Sequence, residues 1–589
     1  MSSKLAKRKS KSQEKKKGDV WQILDIIWTK MLVGFSCVWI FLILVVLPLY
    51  FQEGYVHIGS DKSYLFRTAG ANLGKFLLPV LALWGSCRVI CVARLRWQNG
   101  EKLLQKEDLH RLEMVDICAA LYLVAAVLSY LCTEYRETAL WGTKGWYMGL
   151  VPQSILVVSY FVLSRFEFVQ LGSLPLLVCF PISAVTFVLG YLNRFDIWPL
   201  NMPSSGLPDY ISTIGNINWY CSYVVLVLFV GVALFMQEQG APKWRAWLWI
   251  AYLWLGFGAL VTQGSDSGIF ATLCMMLILF HLAVRQDEIG WMLRFWQVML
   301  LFSGAGVFTW ILRVLFPGRM NYTSELGHIF YSPFAVVLLG ICVGGLLYTK
   351  FLWQKKRGNE KMFDLFRVLD IVLGWAVPIG LLIGVVLIVL NTLHPGSIGP
   401  LSNISVFTFD YLWGSRRGAT WMLGAGCFAN QDLLHKLVGV GPDCMSDYLY
   451  SDSGVAAGLA EVSQRVFVGL RLTNAHCEIL TILVNMGLLG AVSYVGMLVG
   501  FFKQCFSGGE KHHGYAPNSA KAQGGRPVQG GGKALNRRDP QGMDKYAAAC
   551  AAGVLALALN NIWSFQQSMG VSTMFVVMAL GVYFRKKNG

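Results

Sequence analysis

The sequence predicts an all-α integral membrane protein of about fourteen transmembrane helices with one large, structured extracytoplasmic loop. Three observations carry this. The 589 residues are 55% hydrophobic and only 14% charged, with a mean hydropathy of +0.51, too apolar for a surface facing water. Apolar runs of about 20 residues recur along the chain, each long enough to cross a hydrocarbon layer of ~30 Å as a helix. Basic residues crowd one set of inter-span segments and avoid the other.

Residues 1–30 form a basic tail. The apolar run after it is long for a signal-peptide core and lacks a small-residue cleavage site, so it is expected to remain as the first span. Hydropathy places spans near 31–51, 71–93, 115–132, 146–164, 172–192, 217–236, 245–262, 267–284, 292–316, 332–353 and 371–391. A long segment, 392–478, follows. The remaining spans are 479–502, 546–563 and 567–584, with a Gly-rich basic segment at 503–545. Roughly three quarters of the 50 Lys and Arg residues fall on the side of the N-terminus, which makes that side cytoplasmic. The even number of spans returns Arg585, Lys586 and Lys587 to the same side.

The formal charge of +17 does not imply a nucleic-acid partner, because the basic clusters border apolar runs, where anionic headgroups attract them. The glycines of 503–545 follow no strand and contain no G-x-x-x-x-G-K-[ST], so that segment reads as a disordered cytoplasmic linker rather than a phosphate cradle. The cysteines are scattered and lack metal-ligand spacing. Cys427, Cys444 and Cys477 share one segment but are odd in number, and free thiols are expected.

Segment 392–478 differs from a linker. Trp421, Leu423, Phe428, Leu433, Leu434 and Leu437 recur at roughly helical spacing, and Gly439-Val440-Gly441-Pro442-Asp443 then breaks the helix. A long ordered loop is a usual home for a site. Its acids outnumber its bases, so an anion must be held by particular arginines (Arg416, Arg417, Arg465, Arg471) offering planar forks to phosphate oxygens. Each arginine alone also fits an interfacial role. His476, at the junction with the next span, is a candidate proton acceptor, although a lone His is more often structural. Asp266, in the short turn Gln263–Gly268, fits either substrate contact or helix capping. Glu478 is a further candidate substrate contact.

Three stretches together resemble the O-antigen ligase and polymerase superfamily. Asn474-Ala475-His476-Cys477-Glu478, with Gly487-Leu488-Leu489-Gly490 and Tyr494 beyond it, is similar to that family's His-Asn and Gly-x-x-Gly signature. Arg417-x-x-x-Trp421 and Gly439-Val440-Gly441-Pro442 resemble its Arg-x-x-x-Trp and Gly-x-Gly-Pro elements, and Gly215-Asn216-Ile217-Asn218 its Gly-Asn-x-Asn. There are two departures. Cys477 stands where Asn is usual, and Ser265-Asp266-Ser267-Gly268 occupies the turn where relatives carry Ser-Arg-Gly, an arginine implicated in diphosphate binding.

The resemblance implies a GT-C-like bundle in the plasma membrane that works without metal or cofactor in surface polysaccharide biosynthesis. The reaction it implies is inverting glycosyl transfer from a polyprenyl (undecaprenyl-type) diphosphate donor to a hydroxyl of a glycan or glycolipid acceptor. Arg417 would steady the leaving diphosphate and His476 would take the acceptor proton. A repeat-unit polymerase of the same superfamily is the near alternative, and a lipid-linked oligosaccharide flippase the alternative from another class. A flippase should carry charges deep within several spans, and these are nearly absent.

Overall fold

The computed structural model describes residues 20–588 apart from 53, 101, 103–111, 166–170, 201–209, 239–241, 287, 321–323, 356–363, 452–453 and 507–544. The basic residues of the N-terminal tail up to Lys17 and almost all of the Gly-rich 503–545 segment lie outside the described residues. Long helices follow one another: α1 Val20–Leu49, α2 Gly54–Asn99, α3 Met114–Cys132, α4 Leu150–Leu163, α5 Leu174–Arg194, α6 Ile217–Gln237, α7 Lys243–Thr262, α8 Asp266–Arg285, α9 Ile289–Leu315, α10 Pro333–Gln354 and α11 Asp364–Leu393. Residues 394–477 hold four shorter helices, α12 Trp413–Ala429, α13 Leu433–Val438, α14 Met445–Leu449 and α15 Gly454–Phe467. The chain closes with α16 Glu478–Phe506, α17 Lys545–Asn560 and α18 Ser568–Asn588. The protein is thus a helical multi-pass membrane protein, with 12 helices among the described residues long and apolar enough to span a bilayer. Among the described residues the only strand pairing joins Tyr210–Ile211 to Gly215–Asn216, two residues a side.

The helices α6 and α18 sit at the centre, enclosed along their whole apolar windows, whereas α11 has no buried window and faces outward. The Ala-rich face of α17 lets it press on α6, where a Cβ on Gly553 would come within 2.6 Å of the Leu226 carbonyl oxygen. Small residues permit such close approach in lipid, where no hydrophobic effect drives helices together. Two of the expected spans, α4 and α17, are apolar but only 14 and 16 residues long, about 21–24 Å. The loop after α17, residues 561–567, is largely buried in protein, the setting in which irregular backbone is tolerated at membrane depth.

Helix α2 corrects the sequence reading. Hydropathy starts the second span at 71, but the helix begins at Gly54 and runs 46 residues, about 69 Å. The polar stretch before 71 stays helical because its charge is satisfied locally. Lys62, wholly buried, donates to the carbonyls of Leu47 (2.5 Å), Pro48 (3.2 Å) and Tyr50 (2.9 Å), closing the end of α1.

Segment 394–477 docks on the bundle through glycine. Helix α16 is broken at Gly487 (φ 63°, ψ −167°), and the break frees carbonyls for a backbone pairing: Val440 N–H donates to Val484 O (3.2 Å) and Gly441 N–H to Asn485 O (3.0 Å). A Cβ on Gly439 would stand 2.2 Å from Asn485 O, and one on Gly487 2.4 Å from the Leu437 carbonyl. This backbone contact also explains why Leu433, Leu434 and Leu437 are exposed rather than packed as their spacing suggests. Gly487→Ala is expected to lower the thermal midpoint and the folded yield, because an L side chain meets a backbone region that is essentially glycine's and two backbones must separate. An unchanged melting curve in detergent would mean that α16 does not need this break.

Candidate functional site

The loop 561–567 between α17 and α18 gathers the side chains that sequence motifs scatter. Its Asn561 carbonyl accepts the Glu478 N–H (3.0 Å) at the start of α16, and Asn561 Nδ2 donates to Glu478 Oε2 (2.9 Å). Its Trp563 carbonyl accepts from Arg417 Nε (3.3 Å). Its Phe565 ring meets the His476 imidazole edge-on, centroids 4.9 Å apart. Gln566 Oε1 accepts from Gln153 Nε2 (2.9 Å), and Gln153 Oε1 from the Tyr122 hydroxyl (3.1 Å). Gln567 caps α18 by accepting from Met569 and Gly570 N–H (2.8 and 2.9 Å).

Arg417 and Trp421 lie one turn apart on α12. Trp421 stacks on Trp563 at 4.9 Å, and Trp413 adds a third ring 5.7 Å from Trp563. Arg417 is half-buried at this aromatic wall. Just before it, Gly414, Ser415 and Arg416 run through left-handed backbone (φ 58°, 57° and 71°). Further along α12, Gly424 abuts Ala475, where a Cβ would stand 2.9 Å from the Ala475 Cβ. That contact brings the helix of Arg417 against the neighbour of His476.

His476 also has left-handed backbone (φ 47°), held by an Asx turn in which its N–H donates to Asn474 Oδ1 (3.0 Å). Such a conformation costs free energy and collects at functional sites. The Nδ1 atom is sealed from solvent and has no hydrogen-bond partner among the described residues. Burial, with the Arg417 charge adding to it, lowers the imidazole pKa to about 3, so His476 is neutral near neutral pH.

A cavity of about 30 Å³ is lined by Asp443, Asn474, Glu478, Asn485, Phe565 and Gln566 among others, room for an ordered water. Glu478 is buried, and beyond Asn561 its carboxylate interacts with the side chains of Tyr494 and Gln566. Asp443 Oδ2 accepts N–H bonds from Thr143 (2.8 Å) and Met148 (3.0 Å). Burial nonetheless outweighs these bonds and raises its pKa from 3.8 to about 7. Between those values the folded chain holds a proton that the unfolded chain releases, so this term is fully present below pH 3.8 and is lost as pH rises through 7. Asp443→Asn keeps an acceptor for both N–H groups and is expected to flatten the stability profile between pH 4 and 7. A profile identical to wild type, followed by thermal melting, would mean that Asp443 is ionised throughout.

The other sequence candidates are dispersed. Arg471 is committed to Asp447 Oδ1 (3.0 Å), Ser446 Oγ (3.0 Å) and the face of Tyr450. Arg416 and Arg465 are exposed, Arg465 on α15. Asp266 Oδ1 accepts from Leu326 N–H (3.0 Å) at the start of the short helix Glu325–Phe330, a capping contact. From Asn218 of the Gly-Asn-x-Asn stretch, hydrogen bonds run through Ser265, Ser267, Cys221 and Asn560 to Asn561 and so to Glu478. Cys427, Cys444 and Cys477 are free thiols.

Sequence reasoning missed Asn561, Trp563, Phe565 and Gln566. The signal was the run Asn560-Asn561-x-Trp563-Ser564-Phe565-Gln566-Gln567 between two apolar spans, since amides at membrane depth need partners. No family model matches this chain, and neither a curated protein nor a solved structure matches it.

Proposed function

We propose that the protein is a membrane glycosyltransferase of the O-antigen ligase type, which transfers a glycan from a polyprenyl diphosphate to an acceptor hydroxyl on the extracytoplasmic face. The observation that carries this reading is that Arg417 and His476, more than fifty residues apart in sequence, are both braced by the loop 561–567. In the reaction the acceptor oxygen forms a bond to the anomeric carbon as its proton passes to His476. The bond from that carbon to the phosphate oxygen breaks, with inversion, and its electron pair leaves on the lipid diphosphate beside Arg417. Fixed positive charge at the departing oxygen lowers the barrier.

An imidazole of pKa about 3 is a weak proton acceptor, and the best general base has a pKa near the working pH. A diphosphate against Arg417 cancels the lesser of the two causes that hold the imidazolium down and so raises the proton affinity of His476, while burial, the larger cause, remains. Base strength then depends on a loaded donor site. A polymerase uses the same groups with a repeat unit as acceptor, and no observation favours it over a ligase. Arg416 and Arg465 are exposed and available to steer anions, whereas Arg471 serves the fold of its own segment.

The test is transfer in proteoliposomes holding the purified chain, a polyprenyl-diphosphate glycan and a glycolipid acceptor, with release of polyprenyl diphosphate as readout. Stoichiometric release with product supports the reading; movement of donor between leaflets without release supports a flippase. Reporters fused after Lys503 and Gly589 should read cytoplasmic and one near Ser451 extracytoplasmic, and a cytoplasmic signal at Ser451 would overturn the orientation.

A further inference from the structure

Arg67 stands in α2, a helix apolar enough to span the bilayer, beside the loop-carrying face where Trp141 and Tyr147 lie between α3 and α4. Its guanidinium lies 5.3 Å from the Trp141 ring centroid and 4.9 Å from that of Tyr147. Among the described residues it makes no hydrogen bond or ion pair. Arg67 precedes by four residues the apolar run that begins at 71, the kind of boundary at which basic side chains meet lipid headgroups. Here two aromatic faces fix the guanidinium plane while every N–H donor remains open.

An apolar groove begins one turn beyond Arg67 on the same helix face. Gly70, Ala71, Gly74 and Leu78 follow at helical spacing from Arg67 and line a groove of about 200 Å³, walled by Trp39 of α1 and Ile155 of α4 among others. The lining is almost wholly apolar. The groove exists because the stripe is small: a Cβ on Gly74 would find no atom within 4 Å. Leu78 is 58% exposed, so the groove is reached from the lipid phase.

We propose that Arg67 and this groove bind a phosphate-headed membrane lipid, its phosphate on the Arg67 fork and one hydrocarbon chain lying along Gly70, Gly74 and Leu78. A planar guanidinium matches phosphate oxygens bidentately, and the apolar groove selects a lipid over free phosphate. The inference stands apart from the proposed transferase activity, since an inactive protein would bind the lipid equally.

The experiment is native mass spectrometry of the full-length protein in detergent, titrated with phosphatidylglycerol, with the diacylglycerol of the same chains, and with inorganic phosphate. Phosphatidylglycerol adducts are expected to survive activation in wild type and to weaken about ten-fold or more in both Arg67→Gln and Gly74→Leu. Diacylglycerol should be retained as weakly as phosphatidylglycerol is by Arg67→Gln. Gly85→Leu, another open glycine of α2 but outside the groove, should match wild type and serves as the folding control. Undiminished retention by Arg67→Gln overturns the headgroup contact, and by Gly74→Leu the chain contact. Displacement of the lipid by millimolar inorganic phosphate would reduce the site to a simple anion contact and overturn the lipid assignment.

Discussion

His476→Ala is expected to lower transfer turnover roughly 10²- to 10⁴-fold while leaving binding of the lipid-linked donor intact, the range for a positioned proton acceptor. His476→Gln should fare no better, because an amide cannot accept the proton. Rates must be normalised to folded protein, since a structural role would lower protein level rather than turnover per molecule. The environment supplies a second readout. The imidazole pKa falls from 6.5 unfolded to about 3 folded, so between those values the unfolded chain binds the extra proton. The contribution to stability is whole above pH 6.5 and is lost as pH falls toward 3. His476→Gln should remove that slope from the melting profile. Full activity in the Gln variant would exclude His476 as the base and turn attention to Glu478, which lines the buried cavity, ahead of Asp266, which is engaged at Leu326.

Arg417→Lys is expected not to preserve activity, although the charge is kept. Lysine loses the planar fork that grips two phosphate oxygens, and it lacks the Nε that reaches the Trp563 carbonyl. Loss of one such transition-state contact costs on the order of 2 to 4 kcal/mol, which the proteoliposome assay reads as a large fall in rate. Removing the charge altogether, as in Arg417→Gln, should also raise the pH at which His476 protonates, because Arg417 is one of the two causes holding it down. Near-normal transfer by Arg417→Lys would make Arg417 a positioning residue for the loop 561–567.

Spans were legible because their signal is local: an apolar run of about 20 residues identifies a membrane helix without reference to any neighbour. The same rule misjudged α2, where Lys62 looks like a loop residue until the carbonyls of Leu47, Pro48 and Tyr50 are seen to receive it. It also ran 546–563 together as one span. The helix stops at Asn560, because the amides that follow are satisfied by Ser222, Glu478 and Gln153 from elsewhere in the chain.

The sequence alone determined that this chain is a helical membrane protein with a long non-linker segment at 392–478, and it picked out Arg417, Trp421, Gly439, Gly441 and His476, since hydropathy, glycine spacing and side-chain chemistry are properties of short stretches. Tertiary structure decided which of these work together. Gly424 lets α12 close on Ala475, which brings the Arg417 charge within reach of His476, and the break at Gly487 receives the backbone of Val440 and Gly441. It also set apart Arg471, bound to Asp447, and Asp266, bound to Leu326 N–H, from the arginine at the site. Identical residue types carry no mark of their partners. Burial and a neighbouring charge, which turn His476 from an ordinary imidazole into one that stays neutral down to about pH 3, come from packing between segments distant in sequence.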